Sequence, residues 1–208
     1  MLYYLLADTM IANIFVNSLG VVVFLFIFWK KLKEDYVANV IFTTAFYMLV
    51  GVILGFFASR RFLPPAWFWL ELLGLSLGLL LGIVRYKLRV FETVEAASVS
   101  LLPWLGLFYL TDAIANSSVY SFLAFFAVTC LVTLFFYLDA HYRNFSWYKS
   151  GRVGFSGLTT LGAFFLLRAL IALPFPFVIS FIGRNEAVVS GVGAFFAFLT
   201  VYNLARKT

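Results

Sequence analysis

The chain has 208 residues, of which 64% are hydrophobic and only 12% are charged, and its mean hydropathy is +1.02. A soluble domain is about half apolar and about a quarter charged, so this composition excludes an ordinary soluble globular protein. Several apolar stretches exceed the ~18 residues that a transmembrane helix requires. They are too long and too uniformly apolar for the strands of a membrane barrel. The sequence therefore predicts an all-α polytopic membrane protein.

Seven apolar stretches follow one another along the chain, separated by short polar or basic loops. Their approximate bounds are 10–29, 36–58, 63–84, 92–115, 118–138, 154–174 and 186–203. Pro64 and Pro65 suit the first turn of the third helix, because an N–H has no helical partner there. No cleavable signal pattern marks the first stretch, so we expect it to be a true span. No linker divides the chain, and residues 1–208 are predicted to form a single transmembrane domain.

The cations are distributed unequally between the loops. Eleven follow odd-numbered spans, and three follow even-numbered spans. The first group is Lys30, Lys31, Lys33, Arg85, Lys87, Arg89, Arg143, Lys149, Arg152, Arg206 and Lys207, and the second is Arg60, Arg61 and Arg184. Because cytoplasmic loops are enriched in Lys and Arg, we expect the N-terminus outside and the C-terminus in the cytoplasm. Anionic lipid head groups then account for the net charge of +6, without a nucleic-acid partner.

Two residue types that often carry chemistry occur once each. Cys130 lies within the fifth span, so an intrachain disulfide and a cysteine metal cluster are both excluded. His141 lies in a predicted cytoplasmic loop beside Asp139 and Tyr142, where a solvated surface histidine is expected. The sequence thus predicts no metal site and no cofactor.

Glycines recur every fourth residue in two of the spans. Gly74, Gly78 and Gly82 fall on one face of the third helix, and Gly51 and Gly55 do the same in the second. Small residues at this spacing allow helix backbones to approach closely in lipid. We expect such a helix contact here. The alternative is a smooth face along which a lipid acyl chain lies.

Ionisable residues at membrane depth are costly unless they are paired or hydrated, so they are functional candidates. Glu71 lies about 12 Å and Arg168 about 9 Å from the outer end of their spans at the helical rise. Asp112 lies three or four residues from the outer end of the fourth span. These three residues predict either a structural ion-pair network or an outer-leaflet site in which Arg168 holds an anionic head group. Glu92 and Glu95 are expected to be salt-bridged at the start of the fourth helix.

Five segments of the chain resemble the prolipoprotein diacylglyceryl transferase family. "GVVVFLFIFWKKLKEDYVANVIFTTAFYMLVGVILGFFASR" is similar to the first two spans of that family, with a basic turn between them. "GLSLGLLLGIVRYKLRVFETVEAASVSLLP" resembles its third span and the following turn, and "NSSVYS" resembles its "YPSQLYE". "GFSGLTTLGAFFLLRALIALP" and the segment from "NEAVVSG" to the end resemble its last two spans. The resemblance covers nearly the whole chain.

The chain departs from the family at the catalytic signature. The family's third span carries His-Gly-Gly, whose first position falls at about Trp69 and whose last position is Glu71. Of the signature expected over "YLTDAIANSS", only Asn116 is present. Arg168 is displaced by about a turn from the family's arginine, and Ser121 replaces a glutamate. The family's head insertion between spans four and five is absent.

The resemblance implies an enzyme of the bacterial inner membrane. It would transfer a diacylglyceryl group from phosphatidylglycerol to the lipobox cysteine of a prelipoprotein, at the outer leaflet. The implied catalytic residues are Glu71, Asp112 and Arg168. The implied head-group residues are Arg60, Arg61, Asn116 and Arg168. Two alternatives stay open: an inactive relative that binds phospholipid or scaffolds membrane partners, and a small-solute transporter.

Overall fold

A computed structural model describes residues 2–145, 148 and 154–206, with side chains described from residue 14 onward. All regular structure in these ranges is helical. The α-helices are α1 (Leu2–Leu32), α2 (Ala38–Phe62), α3 (Trp67–Tyr86), α4 (Val90–Asn116), α5 (Val119–His141), α6 (Phe155–Ala172) and α7 (Glu186–Arg206). Seven helices are long and apolar enough to cross a membrane, in agreement with the predicted all-α, seven-span architecture.

The observed helices follow the predicted spans closely, apart from the first. Helices α2 to α7 begin and end within four residues of the predicted bounds. Helix α1 begins at Leu2, earlier than the predicted start at residue 10, although its membrane-length apolar part is Ile14–Leu32. Pro64–Ala66 form a 3₁₀ turn immediately before α3, so the two prolines begin this span as expected.

Helices α2 and α3 form a closely packed hairpin in which glycine faces meet. A Cβ atom added to Gly51 would overlap the carbonyl oxygen of Gly74, and one added to Gly74 would overlap that of Gly51. A Cβ on Gly78 would likewise overlap the carbonyl oxygen of Tyr47. The prediction that these glycines permit backbone contact is therefore confirmed. We call α2 and α3 together the glycine hairpin.

The other five helices pack into a separate layer. Helix α1 packs along α4, α4 packs along α5, and α6 packs mainly on α7 with further contacts to α4 and α5. The glycine hairpin touches this layer much less, since α2 barely contacts α1 and α3 barely contacts α4. This uneven packing leaves a space between the hairpin and the five-helix layer.

A buried ionic cluster joins four helices at one end of the bundle, which we call the Lys31 end. The Lys31 ammonium lies 3.3 Å from a carboxylate oxygen of Glu95 and 3.3 Å from one of Asp139. Glu95 also accepts hydrogen bonds from the Gly154 backbone N–H (2.8 Å) and the Ser156 hydroxyl (3.1 Å). The carboxylate therefore caps the N-terminus of α6, where negative charge is favoured. Glu95 is paired as predicted. It is also buried, and its bonds connect α4 with α1 and α6 in addition to lying near the start of α4.

Tyr36 provides a second connection at this end. Its hydroxyl donates to Glu92 (3.1 Å) and accepts from the Arg89 backbone N–H (2.9 Å). Burial raises the pKa of Tyr36 above its ordinary value, so the hydroxyl keeps the proton that it donates. The Arg89 guanidinium lies 2.7 Å from Glu92, which confirms the predicted salt bridge at the start of α4.

Adding one methyl group in the glycine hairpin should destabilise the protein. We expect Gly74→Ala to cost about 1–3 kcal/mol of unfolding free energy, because the backbones must separate to admit it. The measurement is the thermal unfolding midpoint in a mild detergent. Gly191→Ala on α7 is the matched control, since a Cβ there meets nothing within 4 Å. Equal midpoints for the two variants would contradict the close contact.

Candidate functional site

Five residues from different parts of the chain meet at the opposite end of the bundle and form the Arg168 cluster. They are Tyr109 of α4, Arg168 of α6, Ser180 of the loop before α7, Glu186 of the first turn of α7, and Trp69 of α3. Arg168 is 4% exposed and Glu186 is fully buried. The cluster therefore forms part of the protein interior, and its charges depend on one another for stabilisation.

All three nitrogens of the Arg168 guanidinium donate hydrogen bonds within the protein. Nε donates to Glu186 Oε1 (2.9 Å), and Nη2 donates to the Ser180 carbonyl (2.9 Å) and lies 2.7 Å from the same Glu186 oxygen in an ion pair. Nη1 donates to the Ser180 hydroxyl (2.9 Å) and the Tyr109 hydroxyl (3.3 Å). The Phe68 ring covers the guanidinium, with 3.9 Å between Cζ and the ring centroid. A lipid phosphate could bind Arg168 only by displacing these contacts.

The Glu186 carboxylate is equally well satisfied. Oε1 accepts hydrogen bonds from the Ser190 hydroxyl (2.6 Å) and from Arg168 Nε, and it forms an ion pair with Arg168 Nη2. Oε2 accepts from the Trp69 indole N–H (2.9 Å) and the Ile182 backbone N–H (3.3 Å). With every group bonded, the geometry identifies the Arg168 cluster as a structural junction between α3, α4, α6 and α7.

Sequence reasoning did not identify Glu186 as the partner of Arg168. It offered Glu71 and Asp112 as the carboxylates, and neither is hydrogen-bonded to the guanidinium. One feature of the sequence could have identified Glu186. It lies at the predicted start of the seventh span, on the same side of the membrane as Arg168. An acid in that first turn is favoured by the helix dipole, and it was within reach of α6 because α6 and α7 are consecutive helices.

Asp112 instead closes the connection between α4 and α5. Its carboxylate accepts hydrogen bonds from the Asn116 amide (2.8 Å) and from the Ser121 hydroxyl. The Ser118 hydroxyl caps the start of α5 by accepting from the Ser121 N–H. The two predicted site residues Asp112 and Asn116 are thus in contact with each other, but at the turn between α4 and α5 and not in a cavity with the other candidates.

A large cavity lies between the glycine hairpin and helices α1, α4 and α6. Its volume is about 1220 Å³, above the roughly 300–1,000 Å³ typical of pockets for small ligands. It extends from Arg60 and Trp67 at one end to Ile83 and Val90 at the other. The helical rise between Trp67 and Ile83 makes it about 24 Å long, close to the thickness of a bilayer's hydrocarbon core. The cavity therefore fits an elongated, membrane-length ligand.

The cavity lining is almost entirely apolar. Its serines are Ser59, Ser76 and Ser98, and each donates its hydroxyl hydrogen to a carbonyl of its own helix. Besides the amide of Asn17, the polar groups that the described residues add to the lining include the two charges of Arg60 and Glu71. Neither has a hydrogen-bond or salt-bridge partner within the ranges that the structure describes. The cavity thus contains two opposite charges that are available to a ligand.

Arg60 and Glu71 lie at a similar depth. Gly55 of α2 packs against the Glu71 backbone, since a Cβ on Gly55 would lie 2.7 Å from the Glu71 Cα. The Arg60 side chain reaches back along α2, and its Cζ lies 5.1 Å from the centroid of the Phe56 ring. Phe56 directly follows Gly55, so the guanidinium lies near the level of the Glu71 carboxylate. The two charges therefore mark one end of the cavity.

A smaller cavity of about 170 Å³ lies among α4, α5, α6 and the loop before α7. Tyr109 and Arg168 contribute to its wall, and most of the remaining lining is apolar. Phe164 of α6 lines both cavities. The polar atoms of Arg168 and Tyr109 are already bonded within the Arg168 cluster, so the smaller cavity presents no free charge.

The predicted site residues are therefore separated in space. Arg60 and Glu71 both line the large cavity, and Arg60 is also exposed, whereas the exposed Arg61 does not line the cavity. Cys130 and His141 are also exposed, and the His141 ring stacks on that of Tyr137. Comparison with protein-family models, with curated proteins and with solved structures finds no match for the chain.

Breaking the buried ion pair should destabilise the protein strongly. We expect Arg168→Met to cost about 3–5 kcal/mol of unfolding free energy, because the Glu186 charge is left buried without its partner. Combining Arg168→Met with Glu186→Gln should restore part of this loss, since no uncompensated charge then remains. Thermal unfolding in detergent compares Arg168→Met, Glu186→Gln and the double variant with the wild-type protein. Arg89→Gln, at an exposed pair, is the control and should change the midpoint little. A double variant as unstable as the sum of the single variants would contradict the pairing.

Proposed function

We propose that the protein is a multi-pass protein of a bacterial cell membrane that binds a diacyl phospholipid in the large cavity. The observation that carries this proposal is a membrane-length apolar cavity with two unpaired charges at one end. A diacyl phospholipid has the matching construction, with two long apolar chains and a charged head group at one end. The phosphate would bind Arg60, and the acyl chains would extend along the cavity toward Ile83.

The charge distribution supports an outer-leaflet location for the head group. Lys31 and Arg89 lie at the Lys31 end, whereas Arg60 lies at the end that includes Trp67 and Ile179, whose indole and carbonyl are hydrogen-bonded. The richly basic end is assigned to the cytoplasm, because cytoplasmic loops carry most Lys and Arg. Arg60 and Glu71 then lie on the outer side of the membrane.

The head group must supply most of the selectivity in such a site. Lipid tails are as apolar as the leucine and phenylalanine side chains of the lining, so moving acyl chains from bilayer to cavity changes apolar hydration little. A charge at membrane depth is costly until it is paired. Arg60 and Glu71 would therefore distinguish the bound lipid from bulk lipid.

A diacylglyceryl transferase is the second candidate, and Glu71 is the observation that favours it. In that reaction a cysteine thiol of a lipobox peptide loses its proton to Glu71, and the sulfur attacks the diacylglyceryl carbon of phosphatidylglycerol. A C–S bond forms, the C–O bond to phosphate breaks, and glycerol phosphate leaves. Arg60 would stabilise the phosphate charge. Arg168 has no role in this step, since its donors are committed to the Arg168 cluster.

Filling the cavity should prevent lipid binding. Ser76 faces the cavity from α3, while the adjacent Leu77 is 54% exposed and faces away from it. We expect Ser76→Phe to reduce the amount of phospholipid that the purified protein retains by about tenfold or more, because the larger ring occupies the space of an acyl chain. Native mass spectrometry in a neutral detergent counts the bound lipid. Leu77→Phe adds similar bulk outside the cavity and should retain lipid normally. Equal retention by both variants would place the lipid elsewhere.

The transferase candidate is tested by the transfer of a labelled diacylglyceryl group from phosphatidylglycerol to a lipobox peptide. Glu71→Gln should lower the rate at least about 100-fold, since general base catalysis contributes roughly 10²–10⁴. Glu34→Gln, at an exposed turn far from the cavity, is the control. Arg168→Ala is unsuitable as evidence for catalysis, because it is expected to destabilise the bundle whether or not Arg168 takes part in the reaction. No transfer by the wild-type protein, with lipid still bound, would favour a lipid-binding protein without this activity.

A further inference from the structure

We propose that Glu71 makes the large cavity select phospholipids whose head group carries a primary ammonium, of the phosphoethanolamine class. This inference rests on the proposed lipid binding and concerns only the choice of head group. In such a head group a phosphate and an ammonium are separated by two carbon atoms. The cavity presents Arg60 and Glu71, which have the complementary charges, at a similar depth.

The Glu71 carboxylate needs a donor that the described part of the protein does not provide. Three polar groups of the described lining already have acceptors. Trp67 donates its indole N–H to the Ile179 carbonyl (3.0 Å), Ser76 donates to the Leu72 carbonyl (2.7 Å), and Ser59 donates to that of Phe56 (2.7 Å). A half-buried carboxylate without a donor is costly, so a ligand that supplies one is favoured.

An anionic head group fits this pair less well. Its phosphate would pair with Arg60 and would then lie near the Glu71 carboxylate. Such a head group has no cation of its own to pair with Glu71. Selectivity arises from such repulsion as much as from attraction. A primary ammonium has three N–H donors and a full positive charge, whereas a trimethylammonium group has no N–H to donate. The expected order of binding is phosphoethanolamine first, then phosphocholine, then phosphoglycerol.

The test is a competition between lipids with identical acyl chains. Dioleoyl phosphatidylethanolamine, dioleoyl phosphatidylcholine and dioleoyl phosphatidylglycerol are mixed in equal amounts with the purified full-length protein in a neutral detergent. Native mass spectrometry then reports the share of each bound lipid. We expect the ethanolamine lipid to exceed the glycerol lipid by about tenfold or more, the size of one charged hydrogen bond. This competition between lipids uses only the wild-type protein, so its result does not depend on whether a variant folds.

Two variants test the assignment to Glu71. Glu71→Gln keeps the shape of the side chain and should abolish the preference among the lipids that remain bound. Glu34→Gln removes the same charge at an exposed turn and should keep the preference of the wild-type protein. Equal binding of the three lipids, or a preference that survives Glu71→Gln, would overturn the inference and leave lipid binding intact. A preference for phosphatidylglycerol would also overturn it and would favour the transferase candidate. Failure to bind any of the three would overturn the proposed function itself.

Discussion

A charge in the hydrocarbon region must find its partners within the protein or in a ligand, and this constraint organises the whole bundle. Arg168 meets it, because all three guanidinium nitrogens donate hydrogen bonds to Glu186, Ser180 or Tyr109. Lys31 is paired with Glu95 and Asp139 at the opposite end. Glu71 is the acid in the cavity for which the described residues supply no donor. The paired charges of Arg168 and Lys31 therefore stabilise the fold, whereas Glu71 and the cavity around it are available for function.

Helix α6 shows how the satisfied charges hold the five-helix layer together. Its first turn receives the Glu95 carboxylate of α4, and Arg168 near its end is bonded to Glu186 of α7. Both ends of α6 are thus fixed by acids from other helices. Among the described residues, no equivalent bond joins the glycine hairpin to the other helices across the middle of the cavity, and the hairpin is attached chiefly at its ends. Trp67 and Trp69 connect it at one end. The cavity is the space that this arrangement leaves open.

The sequence predicted the helices well because their apolar length and their glycine spacing are local properties. Gly51 and Gly74 fall on the faces that meet, as the four-residue repeat indicated. The partner of Arg168 was not predicted, because Glu186 and Glu71 are both acids near the outer end of a span, and their spacing along the chain gives no distance in space. The cavity was not predicted either. It depends on which helix pairs pack closely, and uniformly apolar helices give no signal for that choice.

The candidate site shows the same division. Arg60 and Glu71 were both named from sequence, but in separate roles, and nothing in the chain indicated that Gly55 would bring α2 against Glu71. Arg61 and Asn116 satisfied the same sequence criteria and lie outside the cavity. A family resemblance based on apolar patterns identifies spans more readily than it identifies the face of each span.

The glycine hairpin also has a consequence for the order in which the protein assembles in the membrane. Its contacts join two helices that are adjacent in the chain, so they can form as soon as both have been inserted. The bond between Lys31 and Asp139 joins residues 108 positions apart and requires the first five helices. Gly154 reaches Glu95 later still, with α6. We therefore expect α2 and α3 to pair in the membrane while the rest of the chain is still being synthesised. The two layers would pack around the cavity only after the last helices have been inserted.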